Sequence, residues 1–253
     1  MSYDLKKKIE DLERENKELK ESLAYREEFI HNIIGRYLTD EVLDWILNNK
    51  DSSYIGGARR EVTMLFTDIR DSTALSEKLH SYEFIDMLNH FLDEMINLIN
   101  AWNGNILDFV GDAIVVVFGA PKPNEYAARD AVACAVAMQR HMPSINKWNI
   151  ENGYPEISMG IGIHTGEAIL GNIGSDIRIK YDMIGRNVNL ASRIEGFTKG
   201  GQILISTETY TAAGENVKID PETDMWVNPK GIQEKIHLYD VIGFGSKIIP
   251  QKK

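Results

Sequence analysis

Four side chains in this sequence are of types that handle phosphates and divalent cations: Asp68, Asp112, Asn189 and Arg193. Asp68 follows the β-rich run Val62-Thr63-Met64-Leu65-Phe66 and Thr67. A carboxylate at a strand end can hold Mg²⁺ while the backbone amides of the next turn meet phosphate oxygens. Ile69, Arg70, Asp71, Ser72 and Thr73 supply that turn, and Asp71 or Ser72 also suits the N-cap of a following helix. Asp112 sits after Gly111 at the tip of the apolar stretch Phe109 to Ile114, where a plain turn aspartate is common. Taken together, two carboxylates from neighbouring strands can bridge two Mg²⁺ about 3.5–4 Å apart, an arrangement suited to in-line phosphoryl displacement. Asn189 and Arg193 are four residues apart and share one face of a helix. There they can orient a ribose and meet charge developing on phosphate oxygens. Spacing alone favours the plainer reading of that face, a solvated polar surface.

Elements must hold these groups in place. Val62 to Phe66 reads as a strand, and about Ser72 to Asn103 as an amphipathic helical stretch. Ile106 to Phe118 reads as two short strands around Gly111-Asp112, a hairpin with a glycine turn. Ala127 to Met142 is Ala-rich and helical. Ile157 to Ile163, Glu167 to Ile173, Gln202 to Ser206 and Ile236 to Val241 read as strands, with a helix around Asn187 to Phe197. The order predicts an α+β domain: a mainly antiparallel sheet with a ferredoxin-like βαββαβ core and helices on one face.

Ahead of that domain lies a heptad seam. Leu5, Leu12 and Leu19 fall at d; Ile9, Asn16, Leu23 and Ile30 fall at a. Asn at an a position costs stability yet favours a parallel two-stranded coil in one register. The expected division is a parallel coiled-coil helix over 1–34 and a short helix and linker over 35–57. A catalytic domain over 58–245 and a tail over 246–253 follow. The short helix would be capped by Thr39 or Asp40 and carry Val42, Leu43, Trp45, Ile46 and Leu47, with a linker from Asp51 to Gly57.

The composition fits a globular chain: 253 residues, 43% apolar and 26% charged. A net charge of −10, with no basic stretch to offset it, argues against nucleic acid as partner. No apolar run approaches the roughly 20 residues of a membrane span. A charged start and a single cysteine, Cys134 in Ala-rich surroundings, point to a buried thiol in a reducing cytoplasm.

The ordered set changes the odds. Val62 to Arg70, then Gly111-Asp112, then Val188-Asn189-Leu190-Ala191-Ser192-Arg193 resembles the class III adenylate/guanylate cyclase family. Ile161 to Gly166 and Lys230-Gly231 are similar to further family segments, and the lead-in from Gly35 to Gly57 is similar to that of many bacterial members. The resemblance implies a lyase that turns a purine nucleoside triphosphate into its 3′,5′-cyclic monophosphate and pyrophosphate. It implies a head-to-tail homodimer with shared sites and two divalent cations, Mg²⁺ or Mn²⁺, in each. Asp68, Asp112 and the backbone carbonyl of Ile69 would hold the cations. The partner's Asn189 and Arg193 would act on ribose and phosphate. The backbone of Ile69 to Thr73, and Lys230, would hold the outer phosphates. A sensor upstream of the coil, or a separate partner, is compatible with the pattern.

Base choice is where the chain departs from the family pattern. Adenylate cyclases usually carry Lys four residues before the second metal aspartate, and this chain carries Asp108. They often carry an acid where this chain has Asp182, which can accept from the adenine 6-amino group. Asp108 can accept from guanine N1–H and its 2-amino group. The reading leans to ATP on Asp182, with GTP as the alternative. An inactive nucleotide-binding regulatory dimer should have lost Asp68, Asp112, Asn189 or Arg193; all four are present. A coiled-coil interaction protein with a structural head would leave the ordered motifs unexplained.

Overall fold

The computed structural model describes residues 3–34, 42–43, 55–175, 177–223, 225–230 and 234–249. The chain divides into two units, Met1–Ser53 and Tyr54–Lys253.

In the first unit, helix α1 runs from Tyr3 to Ile34. Its seam residues Ile9, Leu12, Leu19 and Leu23 are 41–64% exposed, so the chain alone leaves the apolar stripe uncovered. Of the expected short helix only Val42 and Leu43 are described, and both are helical; its caps, Trp45, Ile46, Leu47 and the linker start at Asp51 lie outside the described residues.

The second unit begins with β1 (Gly56–Ile69), which takes in Gly56 and Gly57 of the expected linker. Then come α2 (Ser72–Lys78) and α3 (Ser81–Ala101). The single helical stretch expected there is broken because the His80 N–H donates to Glu83 Oε2 at 2.9 Å, starting a new helix with a capping box. Strands β2 (Asn105–Val110) and β3 (Ala113–Phe118) form the expected hairpin. Helix α4 (Ala127–Glu151) runs through Pro143 instead of stopping at Met142. Proline removes one backbone donor, but Ile145, Asn146 and Asn149 are buried beyond it and keep the helix on the core.

Strand β4 (Met159–Ser175) joins what the sequence suggested as two strands. It pairs with the whole length of β1, from Gly56↔Asn172 to Ile69↔Met159. Next are β5 (Arg178–Ile184), α5 (Arg186–Glu195), β6 (Ile203–Ser206) and α6 (Thr207–Ala213). Short strands β7 (Val217–Ile219) and β8 (Met225–Val227) precede β9 (Ile236–Phe244) and β10 (Lys247–Ile248). Strands β5, β7, β8 and β10 were not foreseen, and β10 lies in the expected tail.

The strand order is β10-β9-β6-β4-β1-β3-β2, with β5 on β4 and β7 and β8 on β9. Its β4-β1-β3-β2 part is the order of a βαββαβ core. The sheet is mixed, a correction to the mainly antiparallel one expected: β4 and β6 run parallel, joined by a crossover through β5 and α5.

Helices cover both faces, not one. On α3, Met87, Phe91, Met95 and Ile99 recur every fourth residue and are fully buried. With α4 they pack on Leu65, Ile114, Val116, Ile161, Ile203 and Ile205. Leu204 points the other way, since strand side chains alternate, and joins Leu190 and Ile194 of α5 with Leu238. Cys134 is buried in α4, and burial pushes its thiol pKa well up. Among the described residues no helix is long and apolar enough to cross a membrane.

Candidate active site

The β1–β3 pairing, with Thr67 opposite Ile114, puts Asp68 beside the Gly111-Asp112 turn. Gly111 has φ +67°, as the first position of a II′ hairpin turn requires. The turn is fastened to β1: the Ile69 N–H donates to Asp112 Oδ2 at 3.0 Å. The Asp68 carboxyl feels the Asp112 carboxyl beside it. Partial burial, the neighbouring Asp112 carboxyl and repulsion from Glu195 lift the Asp68 pKa to about 7, against the pull of Arg70. Arg70 offsets the negative charge of the pair only in part. The pair's hard oxygens suit Mg²⁺ or Mn²⁺, cations that keep several waters and need few protein ligands. Among the described residues no group of three or more His, Cys, Asp or Glu side chains could hold a metal ion.

The Arg70 guanidinium is turned inward. It donates to the Asp68 carbonyl, the Thr198 carbonyl and Glu195, and lies 3.3 Å from Asp68 Oδ2. Burial raises the Glu195 pKa while Arg70 opposes it. What the turn leaves for an anion is therefore backbone. Asp71 occupies the N-cap of α2 in the left-handed region at φ 59°, without a side-chain cap bond, and Ser72 opens the helix. Thr73 is exposed.

Helix α5 carries Asn189 and Arg193. Its apolar side, Leu190, Ala191 and Ile194, is buried against the sheet. Gly162 of β4 permits the approach, for a Cβ there would lie 2.2 Å from the Glu195 backbone nitrogen. Glu195 faces Arg70. At 3.6 residues per turn, Arg193 and Asn189 point about 160° and 120° away from Glu195. The helix thus turns its amide and guanidinium away from the carboxylate pair of its own chain. Asn189 is exposed and Arg193 half-buried.

The two acids singled out for base recognition do come together. Lys180 Nζ lies 2.6 Å from Asp108 Oδ2 and 3.0 Å from Asp182 Oδ2. Burial weakens the charge on Lys180, but its bonds to Asp108 and Asp182 outweigh that and raise its pKa. Asp108 follows a register shift in β2 between Ile106 and Asp108, the kind of irregularity that re-aims a side chain.

With this arrangement in view, comparison with known proteins is decisive. The sequence profile of the adenylate and guanylate cyclase catalytic domain matches residues 57–243. This chain belongs to that family. Every residue singled out from the sequence, from Asp68 to Lys230, falls inside the cyclase match, and α1 falls outside it. Adenylate cyclase 1 of Rhizobium meliloti is 33% identical over 76% of this chain, and the chain spans 30% of that protein's length. The crystal structure of the guanylyl cyclase Cya2 superposes with a TM-score of 0.75 at 41% identity, covering 78% of this chain and all of that one. The adenylyl cyclase CyaB from P. aeruginosa gives 0.68 at 34% identity, covering 77% and all of that chain. Relatives of both nucleotide types thus share the cyclase fold with this chain.

Two residues at this cyclase site were not foreseen from sequence. Lys180 stands two before Asp182 on a strand, so the pair shares a face; the signal was there once 178–184 is read as a strand. Glu195 follows Arg193 by two, and nothing in its spacing points to Arg70. Lys230 is exposed beyond β8, and no contact among the described residues ties it to the carboxylate pair.

Proposed function

We propose that the chain is an adenylate cyclase: it converts ATP to 3′,5′-cyclic AMP and pyrophosphate at two sites shared across a homodimer. The observation that carries this is the opposition of the two half-sites. Asp68 and Asp112 are tied together on one side of the fold, while Asn189 and Arg193 are turned away from them on α5. A second copy, head to tail, brings the missing half to each. The uncovered stripe on α1 supports a parallel coil holding the two copies, with Asn16 setting register. The proposed division is coil 1–34, helix and linker 35–57, catalytic domain 58–245 and tail 246–253.

In this reading Asp68, Asp112 and the carbonyl of Ile69 hold two divalent cations, Mg²⁺ or Mn²⁺. When bound, the cations favour ionisation of the ribose 3′-hydroxyl and neutralise charge on the triphosphate. The N–H groups of Ile69 and Arg70 are taken by Asp112 and the Ser158 carbonyl, which narrows the expected stretch, so those of Asp71, Ser72 and Thr73 hold the β- and γ-phosphates, with Lys230 a further contact. Asn189 of the other copy orients the ribose, so that the 3′-oxygen lies in line with the α-phosphorus. Arg193 meets the charge that builds on the phosphate oxygens. The 3′-O–P bond forms as the bond from Pα to the bridging oxygen breaks, the hydroxyl proton leaves, and pyrophosphate carries off the electron pair. Asp182 accepts from the adenine 6-amino group.

GTP is the second reading, favoured by Asp108, which can accept from guanine N1–H and the 2-amino group. Assaying ATP, GTP, CTP and UTP in parallel, with Mg²⁺ or Mn²⁺, separates the cases. Cyclic AMP and pyrophosphate as main products are expected. Cyclic GMP as main product would overturn the choice of base. No product from any nucleotide would make the chain a binding module.

A further inference from the structure

Asp108 and Asp182 are each held from two sides. Asp108 Oδ1 accepts from the Phe109 N–H at 2.9 Å, and Asp182 Oδ1 from the Met183 N–H at 2.8 Å. Their Oδ2 atoms converge on one ammonium, Lys180, at 2.6 and 3.0 Å. The local amides fix both carboxylates, so the lysine is placed by a built frame rather than by chance contact. All three side chains keep a third or more of their surface open, so a ligand can reach them.

Two ionised carboxylates are acceptors only. That matches only part of either purine edge: guanine N1–H and its 2-amino group can meet one carboxylate but its 6-oxygen can meet neither, and adenine pairs an acceptor, N1, with a donor, the 6-amino group. One donor is therefore needed beside one acceptor. An ammonium has three N–H groups. Two are spent on Asp108 and Asp182, and the third is free.

Resting on the proposal that these acids face the base, we infer that Lys180 is the residue that selects the purine. Its third N–H donates to adenine N1 beside Asp182, which accepts from the 6-amino group. Asp108 holds the ammonium in place and is kept from guanine by doing so. The positive charge that adenine needs comes from β5, in place of a lysine on β2.

The test is kcat/KM for ATP and GTP in the wild type, Lys180→Met, Lys180→Arg and the double variant Lys180→Met/Asp108→Lys. Removing the lysine takes away the donor to N1 and frees Asp108 for guanine. A lost bond to a polar group is worth about 1–3 kcal/mol, so the ATP:GTP ratio should fall roughly ten- to a hundredfold. Lys180→Arg should keep a higher ratio than Lys180→Met. The double variant, which returns an ammonium from β2, should restore preference for ATP. If turnover of a variant is too low to measure, calorimetric Kd values for 3′-deoxy-ATP and 3′-deoxy-GTP give the same ratio. Equal losses on both nucleotides, or none, would overturn the inference and leave Lys180 a strut between β2 and β5. A wild-type preference for GTP fails the ATP reading alone. The third N–H then meets the guanine 6-oxygen, and removing Lys180 must lower GTP more than ATP.

Discussion

Asp68 carries the sharpest physical signature at the scale of single residues. Its carboxyl binds a proton up to about pH 7 in the folded chain, whereas an unfolded aspartate releases it near pH 3.9. The folded state therefore holds the extra proton between these values, and as pH rises through the window the chain loses stability. In the proposed site divalent cations bind the deprotonated pair, so they would compete with that proton. The gain in Tm on adding Mn²⁺ should be small at pH 5 and larger at pH 8. Asp68→Asn should flatten the difference and lower turnover by orders of magnitude while leaving a folded dimer. Equal Mn²⁺ stabilisation at both pH values, or near-normal turnover of Asp68→Asn at saturating metal, would remove the metal assignment.

At the scale of elements, the active geometry depends on how closely α5 approaches β4. A methyl at Gly162 would lie 2.2 Å from the Glu195 backbone nitrogen, closer than any van der Waals contact, so helix or strand must shift. Overpacking of this kind costs about 1–3 kcal/mol, with Tm falling by roughly 2–4 °C for each kcal/mol in a domain of this size. Moving α5 also displaces Asn189 and Arg193, so Gly162→Ala should lower kcat more than its stability loss explains. Calorimetry beside steady-state assays at 25 °C checks both; full kcat with lowered Tm would contradict the positioning role. The sequence revealed elements with strong local signals, the heptads of α1, the Gly111-Asp112 turn and the Asn189–Arg193 spacing. It missed what depends on long-range pairing. The union of Ile157–Ile163 and Glu167–Ile173 into β4 follows from pairing with β1, 90 to 116 residues earlier. Strand β5 does alternate polar and apolar residues, Arg178-Ile179-Lys180-Tyr181-Asp182-Met183, but it is short and mostly exposed, and with the strand overlooked Lys180 stayed hidden. The placing of α5 on the second face of the sheet follows from Leu204 pointing opposite to Ile203 and Ile205, which becomes meaningful only with the sheet assembled.

At the scale of the whole molecule, the proposed site is one that two copies share. Asp68 and Asp112 are joined through Ile69. Glu195 anchors the end of α5 to Arg70, with Asn189 and Arg193 on other faces of that helix. If each site takes its carboxylates from one copy and its amide and guanidinium from the other, each copy must fail in a homodimer that lacks either half. Chains with Asp68→Asn and chains with Arg193→Ala should thus be nearly inactive alone. In a mixed dimer, one site receives both defects and the other receives neither. Random pairing of equal amounts makes about half the dimers mixed, each with one working site of two, so activity should recover to about a quarter of the wild type. Isolating the mixed dimer by two different affinity tags should raise that to about one half. An intrachain site predicts no recovery in either experiment, because each chain would carry its own defect into its own site. Mixed dimers that form, as shown by tag capture, yet stay inactive would therefore refute the shared site, and recovery at these fractions distinguishes it from slow reversion or contamination.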